Sequence, residues 1–160
     1  MSPDWEFHAE ALVPAAREEV FAFLSDLENH WRLAHGRVAV LELTGPRGAR
    51  TGGSIRLQGP FGSGRRAQTS VTATDPPGHM SGRAELSGKT VAAVSWTLLH
   101  RDSATLVQLR GRIESLGAMD RVLLALGGRR WMQRMFGEVL GALAVELAAR
   151  GVGERAESAA

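Results

Sequence analysis

The side chains best suited to proton transfer or metal binding in this chain are its histidines, because it contains neither cysteine nor tyrosine. No two of them combine metal-ligand spacing on one helix face with a carboxylate partner, so the sequence predicts no metal site. His35 follows Trp31 by four residues and would share its helix face, which makes it our candidate for a polar group at a cavity mouth. A surface or capping histidine is the alternative. The five histidines are His8, His30, His35, His79 and His100.

Nucleophilic and nucleotide chemistry have no complete motif. The serines fall mostly in turn-rich segments, and the G-x-S-x-G pattern of an activated serine is absent. Residues 87–90, Ser-Gly-Lys-Thr, end like a phosphate-binding loop. That loop needs glycine where Arg83 stands, and it should open a helix where this chain has a strand pattern. We therefore expect no cofactor and assign no catalytic residue.

Large apolar side chains are the candidates for ligand contact. Met and aromatic residues at helical spacing either fill a core or line a pocket, and the sequence allows both interpretations. Phe61 differs, because it sits at the tip of a Gly-rich turn beside Arg65 and Arg66. There it could cover a cavity or touch a membrane or partner. With His35, the predicted cavity set is Trp31, Phe61, Trp96, Trp131, Met132, Met135 and Phe136.

Strands and short helices in the first three quarters of the chain must position Trp31, His35, Phe61 and Trp96. Residues 4–12 alternate between apolar and polar, which predicts a half-buried strand ended by Val13-Pro14. Helical spacing then predicts one helix from Ala16 or Arg17 to Asp26 and a second over Leu27 to Ala34. Turns too short for helical crossovers separate the strands that follow, so neighbours should pair antiparallel. These strands are predicted at 37–44, 52–59, 65–75, 79–87, 89–101 and 104–115.

A long amphipathic helix is predicted to end the chain. Apolar residues from Met119 to Leu147 recur at i, i+3, i+4 and i+7, with a break or bend expected at Gly127-Gly128. Gly151 is expected to end the helix as a C-cap. We therefore predict a single domain over 1–150 and a flexible tail over 151–160.

The charge balance is close to neutral, with a formal net charge of +2 in 160 residues. Arginine supplies nearly all the basic groups, and acids are absent between Glu42 and Asp75, which leaves a basic segment over 47–66. No nucleic-acid motif accompanies it, so we expect no nucleic-acid partner; a solvated edge or an anionic ligand or surface remains open. The N-terminus lacks the pattern of a signal peptide and no stretch suits a membrane span, so we expect a cytoplasmic protein.

Several short segments carry a resemblance to a known family: Val13-Pro14-Ala15, Glu19-Val20-Phe21, Leu24 to Asn29 with Trp31, Gly52-Gly53, Trp96-Thr97-Leu98 and Thr105-Leu106-Val107. They resemble the START/Bet v 1-like (SRPBCC) superfamily, in its polyketide cyclase/dehydrase-like branch. The resemblance implies an α+β helix-grip fold: a curved seven-stranded antiparallel sheet around a long C-terminal helix, with two short helices after strand 1. His30 stands where many members have proline.

The resemblance implies several functions, since the superfamily includes lipid carriers, receptors, cyclases and quinone-binding proteins. Strand alternation places Arg56, Arg83 and Arg110 outside the cavity and leaves mainly aliphatic, Ala, Gly and Thr positions inside. We therefore expect the binding or carrying of a hydrophobic small molecule of lipid, polyketide or quinone type. A polyketide aromatase/cyclase or dehydratase is the first alternative, and a partner-binding regulatory protein is the second. The protein is expected to be a monomer or homodimer, with transient membrane contact possible.

Overall fold

One antiparallel sheet of seven strands carries the architecture. The computed structural model describes residues 5–34, 36–59, 64–87 and 89–160. The strand order is β1-β7-β6-β5-β4-β3-β2, so each strand from β2 to β7 pairs with its neighbour in sequence and β1 pairs with β7. The predicted strands are confirmed to within two residues at each end. They are β1 Glu6–Val13, β2 Val38–Thr44, β3 Gly52–Gln58, β4 Gly64–Asp75, β5 His79–Leu86, β6 Thr90–Arg101 and β7 Ala104–Ser115.

Two short helices carry the chain from β1, at one edge of the sheet, to β2 at the other. They are α1 Arg17–Leu24 and α2 Leu27–Leu33. The Asp26 carboxylate caps α2 by accepting from the Glu28 backbone N–H at 3.2 Å, and it also accepts from the Arg50 N–H at 3.1 Å. Asp26 therefore fixes the start of α2 and ties it to the loop between β2 and β3.

The C-terminal helical region is bent at the predicted glycine pair. A short helix, α3 Ala118–Leu123, leads through a kinked segment, Leu124–Gly128, into α4 Arg129–Ser158. Gly127 has φ = 116°, a left-handed value that only glycine adopts without strain, which explains the bend.

The prediction that Gly151 ends the last helix is wrong. α4 continues through this residue to Ser158. A glycine inside a helix costs only about 1 kcal/mol relative to alanine, and the residues that follow include the good helix formers Glu154 and Arg155. The helix therefore absorbs the glycine and extends into the segment predicted to be a tail.

The core lies between the inner face of the sheet and α4. Leu140 and Leu143 are fully buried under the helix. The Phe136 ring lies directly against the sheet at Gly111, where an added Cβ would come within 2.7 Å of the ring. Phe7 meets the same ring edge to face, with 6.2 Å between centroids. The sheet, α1–α2 and α4 thus form the helix-grip arrangement that the sequence predicted.

Candidate functional site

An apolar cavity of about 270 Å³ lies between the sheet and the helices α2, α3 and α4. It exists because inward-facing positions in the middle of the sheet carry small side chains or none. These positions lie next to one another on paired strands, so no large side chain fills the space above them. They are Ala67, Gly82, Ala84 and Ala92.

Strand alternation on the outer face follows the sequence prediction. The Arg83 guanidinium pairs with Glu85 at 3.2 Å and with Glu114 at 2.9 Å, on exposed side chains. Arg66 donates to the Ser54 hydroxyl at 3.1 Å on the same face. Since β4 alternates, Gln68 and Ser70 share this outer face with Arg66. Alternation along β4 therefore directs the Gln68 side chain away from the cavity.

Six of the eight predicted cavity residues lie on the cavity wall. Trp31, on α2, and Trp96, on β6, are both buried. Trp131 is half-buried on α4, with the Arg37 guanidinium 5.6 Å from its ring centroid. The remaining three are Met132, Met135 and Phe136 on α4. His35 and Phe61 lie outside the described residues.

Trp31 is held in place by a glycine on β3. A Cβ on Gly53 would lie 2.8 Å from the Trp31 ring and would overlap the carbonyl oxygen of Glu42. Glycine therefore allows both the indole and the neighbouring strand to approach this point. The Gly52-Gly53 pair quoted for the family resemblance thus has a packing role beside the cavity.

His30 is a polar cavity residue that the sequence did not identify. Its Nε2 lies 2.6 Å from the carbonyl oxygen of Leu24, and its ring meets Trp96 edge to face with 5.1 Å between centroids. Burial lowers the pKa of His30 to about 4, although the Leu24 hydrogen bond and the charge of Asp26 oppose the shift. The imidazole is therefore neutral near pH 7, donates through Nε2 and keeps Nδ1 as an acceptor. The sequence did contain a signal for this burial, because His30 follows the apolar residue Leu27 by three positions and so shares its helix face.

A second polar group in the wall joins β4, β6 and α3. The Arg65 Nη2 donates to the Asp120 carboxylate at 2.9 Å, and the Thr90 hydroxyl donates to the same carboxylate oxygen. Thr90 in turn accepts from the Gly117 N–H at 3.0 Å, and Arg65 also donates to the Ser87 carbonyl. Asp120 and Thr90 are buried. We name Arg65, Asp120 and Thr90 the polar cluster.

One arginine of the basic segment belongs to the polar cluster. Arg65 shares its strand parity with Ala67 and therefore faces inward, while its neighbour Arg66 faces outward. Its Nε is buried and has no hydrogen-bond partner among the residues that the structure describes. One arginine of the segment thus belongs to the cavity wall and leaves a donor unused.

Residues 4–148 match the family described as polyketide cyclase / dehydrase and lipid transport. The chain belongs to this family. No curated protein matches the chain significantly. The family assignment agrees with the sheet and helix order of the fold.

Solved structures share the fold of this family member at low sequence identity. TTHA0849 from Thermus thermophilus is 23% identical with a TM-score of 0.73, over 91% of this chain and 98% of that one. CalU16 from Micromonospora echinospora is 22% identical with a TM-score of 0.52, over 96% and 84% of the two chains. DynU16, from the dynemicin biosynthetic locus, is 22% identical with a TM-score of 0.54. That match covers 91% of this chain and 48% of DynU16.

Two further properties bear on partners. No helix of the described residues is long and apolar enough to cross a membrane. Within the same residues, no group of three or more histidine, aspartate or glutamate side chains is arranged to hold a metal ion.

Proposed function

We propose that this protein binds a hydrophobic small molecule in the cavity between the sheet and α4. The observation that carries the proposal is the cavity itself: an apolar space of about 270 Å³ walled by Trp, Met and Phe side chains. Pockets of this size and lining are the usual sites of small apolar ligands. Burial would stabilise the complex by about 25 cal/mol for each Å² of apolar ligand surface removed from water.

The family and its relatives favour a ligand of lipid, polyketide or quinone type. The family description names both cyclases and lipid transport. DynU16 comes from the dynemicin biosynthetic locus. The predicted contact residues are the six on the described wall, with His35 and Phe61 as further candidates from the sequence.

Filling the cavity tests the proposal. Ala92 faces inward on β6 and lines the cavity, while its neighbour Ala93 faces outward. Binding of a small naphthalene probe can be measured by the quenching of tryptophan fluorescence around the cavity. Ala92→Phe should abolish this binding. Ala93→Phe is the matched control and should leave the affinity unchanged. Equal affinity in both variants and the unmodified protein would show that the probe binds elsewhere and would overturn the proposal.

The natural ligand can be sought directly. Native mass spectrometry of the protein purified from its own host should show a copurifying apolar molecule whose mass gives its class. The same preparation of Ala92→Phe should lack that molecule if it occupies the cavity. Retention of the molecule by this variant would argue against the cavity as its site.

A polyketide cyclase or dehydratase is the second candidate, and one observation favours it. The cavity wall carries a neutral imidazole, His30, and a guanidinium, Arg65, which are groups that can move a proton and stabilise an enolate. If the protein is such an enzyme, a linear poly-β-ketone analogue should be converted to a cyclised or dehydrated product, detected by mass spectrometry. His30→Gln should then lower the rate while keeping analogue binding. Binding of the analogue without conversion would leave the carrier function as the proposal.

A further inference from the structure

The polar cluster lies at one boundary of an otherwise apolar wall. Some of its polar atoms have hydrogen-bond partners and one does not. Asp120 accepts from both Arg65 and Thr90, and Thr90 accepts from the Gly117 N–H. The carboxylate and hydroxyl of the cluster are therefore occupied within the protein. The Nε of Arg65 is buried without a partner among the described residues, and this side chain lines the cavity. A buried donor without an acceptor is unfavourable, so an acceptor brought by a ligand would be favoured at this nitrogen.

The charge of the cluster selects among possible acceptors. Arg65 is already neutralised by Asp120, whose carboxylate lies 2.9 Å from its Nη2. A second carboxylate beside Arg65 would be desolvated and would meet the negative charge of Asp120. A neutral carbonyl oxygen accepts the same hydrogen bond without that repulsion.

We infer that the ligand is an apolar molecule with a neutral carbonyl oxygen, and that this oxygen accepts a hydrogen bond from Arg65 Nε. The inference rests on the proposed function, because it concerns the polar end of a molecule held in the same cavity. It narrows the ligand class to ketones, quinones and esters, and excludes hydrocarbons and free acids. Arg65 is then the residue that sets the orientation of the ligand.

Two probes of nearly equal shape separate the hydrogen bond from apolar burial. They are 2-acetylnaphthalene, which has a carbonyl, and 2-ethylnaphthalene, which does not. Arg65→Lys keeps a positive charge near Asp120 but has no Nε–H. It should raise the Kd of the ketone about tenfold, as loss of a hydrogen bond from a charged donor does, and change the Kd of the hydrocarbon less than twofold. Arg66→Lys, on the outer face of the same strand, should change neither.

The possible outcomes are distinct. If Arg65→Lys leaves the affinity for the ketone unchanged, or lowers the affinities for both probes equally, the inferred hydrogen bond is refuted. The proposal that the cavity binds apolar molecules would still stand. If 2-naphthoate binds the unmodified protein more tightly than the ketone at pH 7, the neutral carbonyl is overturned in favour of an acid. If neither neutral probe binds the unmodified protein, the proposed function fails as well.

A further variant covers the case in which Arg65→Lys does not fold. Replacing the pair together, with Arg65→Met and Asp120→Leu, leaves no unpaired charge. This double variant should bind 2-ethylnaphthalene as the unmodified protein does and should show the same tenfold loss for the ketone. Undiminished ketone affinity in the folded double variant would also overturn the inference.

Discussion

Removal of the Asp120 carboxylate should destabilise the fold far more than removal of an exposed carboxylate with an equally short ion pair. In Asp120→Ala the Thr90 hydroxyl loses its acceptor and Arg65 loses its charged partner. Arg65 keeps the Ser87 carbonyl and a side chain that is 22% exposed, so its charge stays partly solvated. The two losses together are worth about 3 kcal/mol, and alanine brings no compensating gain because Asp120 lies in the first turn of α3, where a carboxylate is favoured by the helix dipole. A loss of about 3 kcal/mol corresponds to a fall in Tm of about 6–12 °C for a chain of this length.

Glu114→Ala provides the matched control. Glu114 pairs with Arg83 at 2.9 Å, the same distance as the Asp120 pair, but both side chains are 43% exposed. Exposed pairs contribute about 0–1 kcal/mol, so this variant should unfold within a few degrees of the unmodified protein. Urea unfolding followed by circular dichroism measures both free energies. A difference below about 0.5 kcal/mol between the two variants would refute the argument that burial, rather than pairing, sets the contribution of the polar cluster.

Two further predictions concern the residues around Trp31. Gly53→Ala should cost at least about 2 kcal/mol of unfolding free energy, because its Cβ would overlap a backbone oxygen of β2. Gly137→Ala in α4 is the control: its Cβ meets open space, so it should raise the free energy of unfolding by up to about 1 kcal/mol. Similar urea midpoints for the two variants would contradict the predicted clash at Gly53. Because the pKa of His30 falls from 6.5 to about 4 on folding, its contribution to stability is complete above pH 6.5. About 3 kcal/mol is lost as the pH falls from 6.5 to 4, since the unfolded state binds the proton first. In His30→Gln the urea midpoint should therefore change less between pH 6.5 and pH 4 than in the exposed control His8→Gln. If the midpoints of both variants depend on pH in the same way, His30 is not the source of the pH dependence.

The fold was predictable because its strands alternate and its turns are short. β7 shows this best, since Thr105, Val107 and Leu109 share one face in the sequence pattern and are buried in the structure. The bend at Gly127 was equally visible, because glycine is the residue that adopts its φ without strain. The end of α4 could not be predicted in this way, since Gly151 and Gly153 are weak stop signals against the helix formers Glu154 and Arg155 that follow them.

The candidate site was predictable only in its apolar part. Met and aromatic positions on α4 follow from helical spacing, which is local. The polar cluster joins residues from three elements, with Arg65 and Asp120 separated by 55 positions, so it depends on strand register and helix placement. His30 illustrates the same limit, because its burial depends on Trp96, which lies on a distant strand. Local pattern thus locates the cavity, whereas its chemistry depends on long-range contacts.

The strand order also fixes when the cavity can form as the chain folds. Strands β2 to β7 pair with sequence neighbours, but β1 must pair with β7, where Glu6 lies opposite Arg112. Such non-local pairing is slow, so we expect the β2–β7 meander to form first and β1 to dock last. Pulse-labelled hydrogen exchange should then protect β4–β6 amides before those of β1, and simultaneous protection would contradict this order. A chain emerging from the ribosome would have to complete residue 115 before its first strand finds a partner, and the compartment for a ligand would close later still, once α4 has been synthesised.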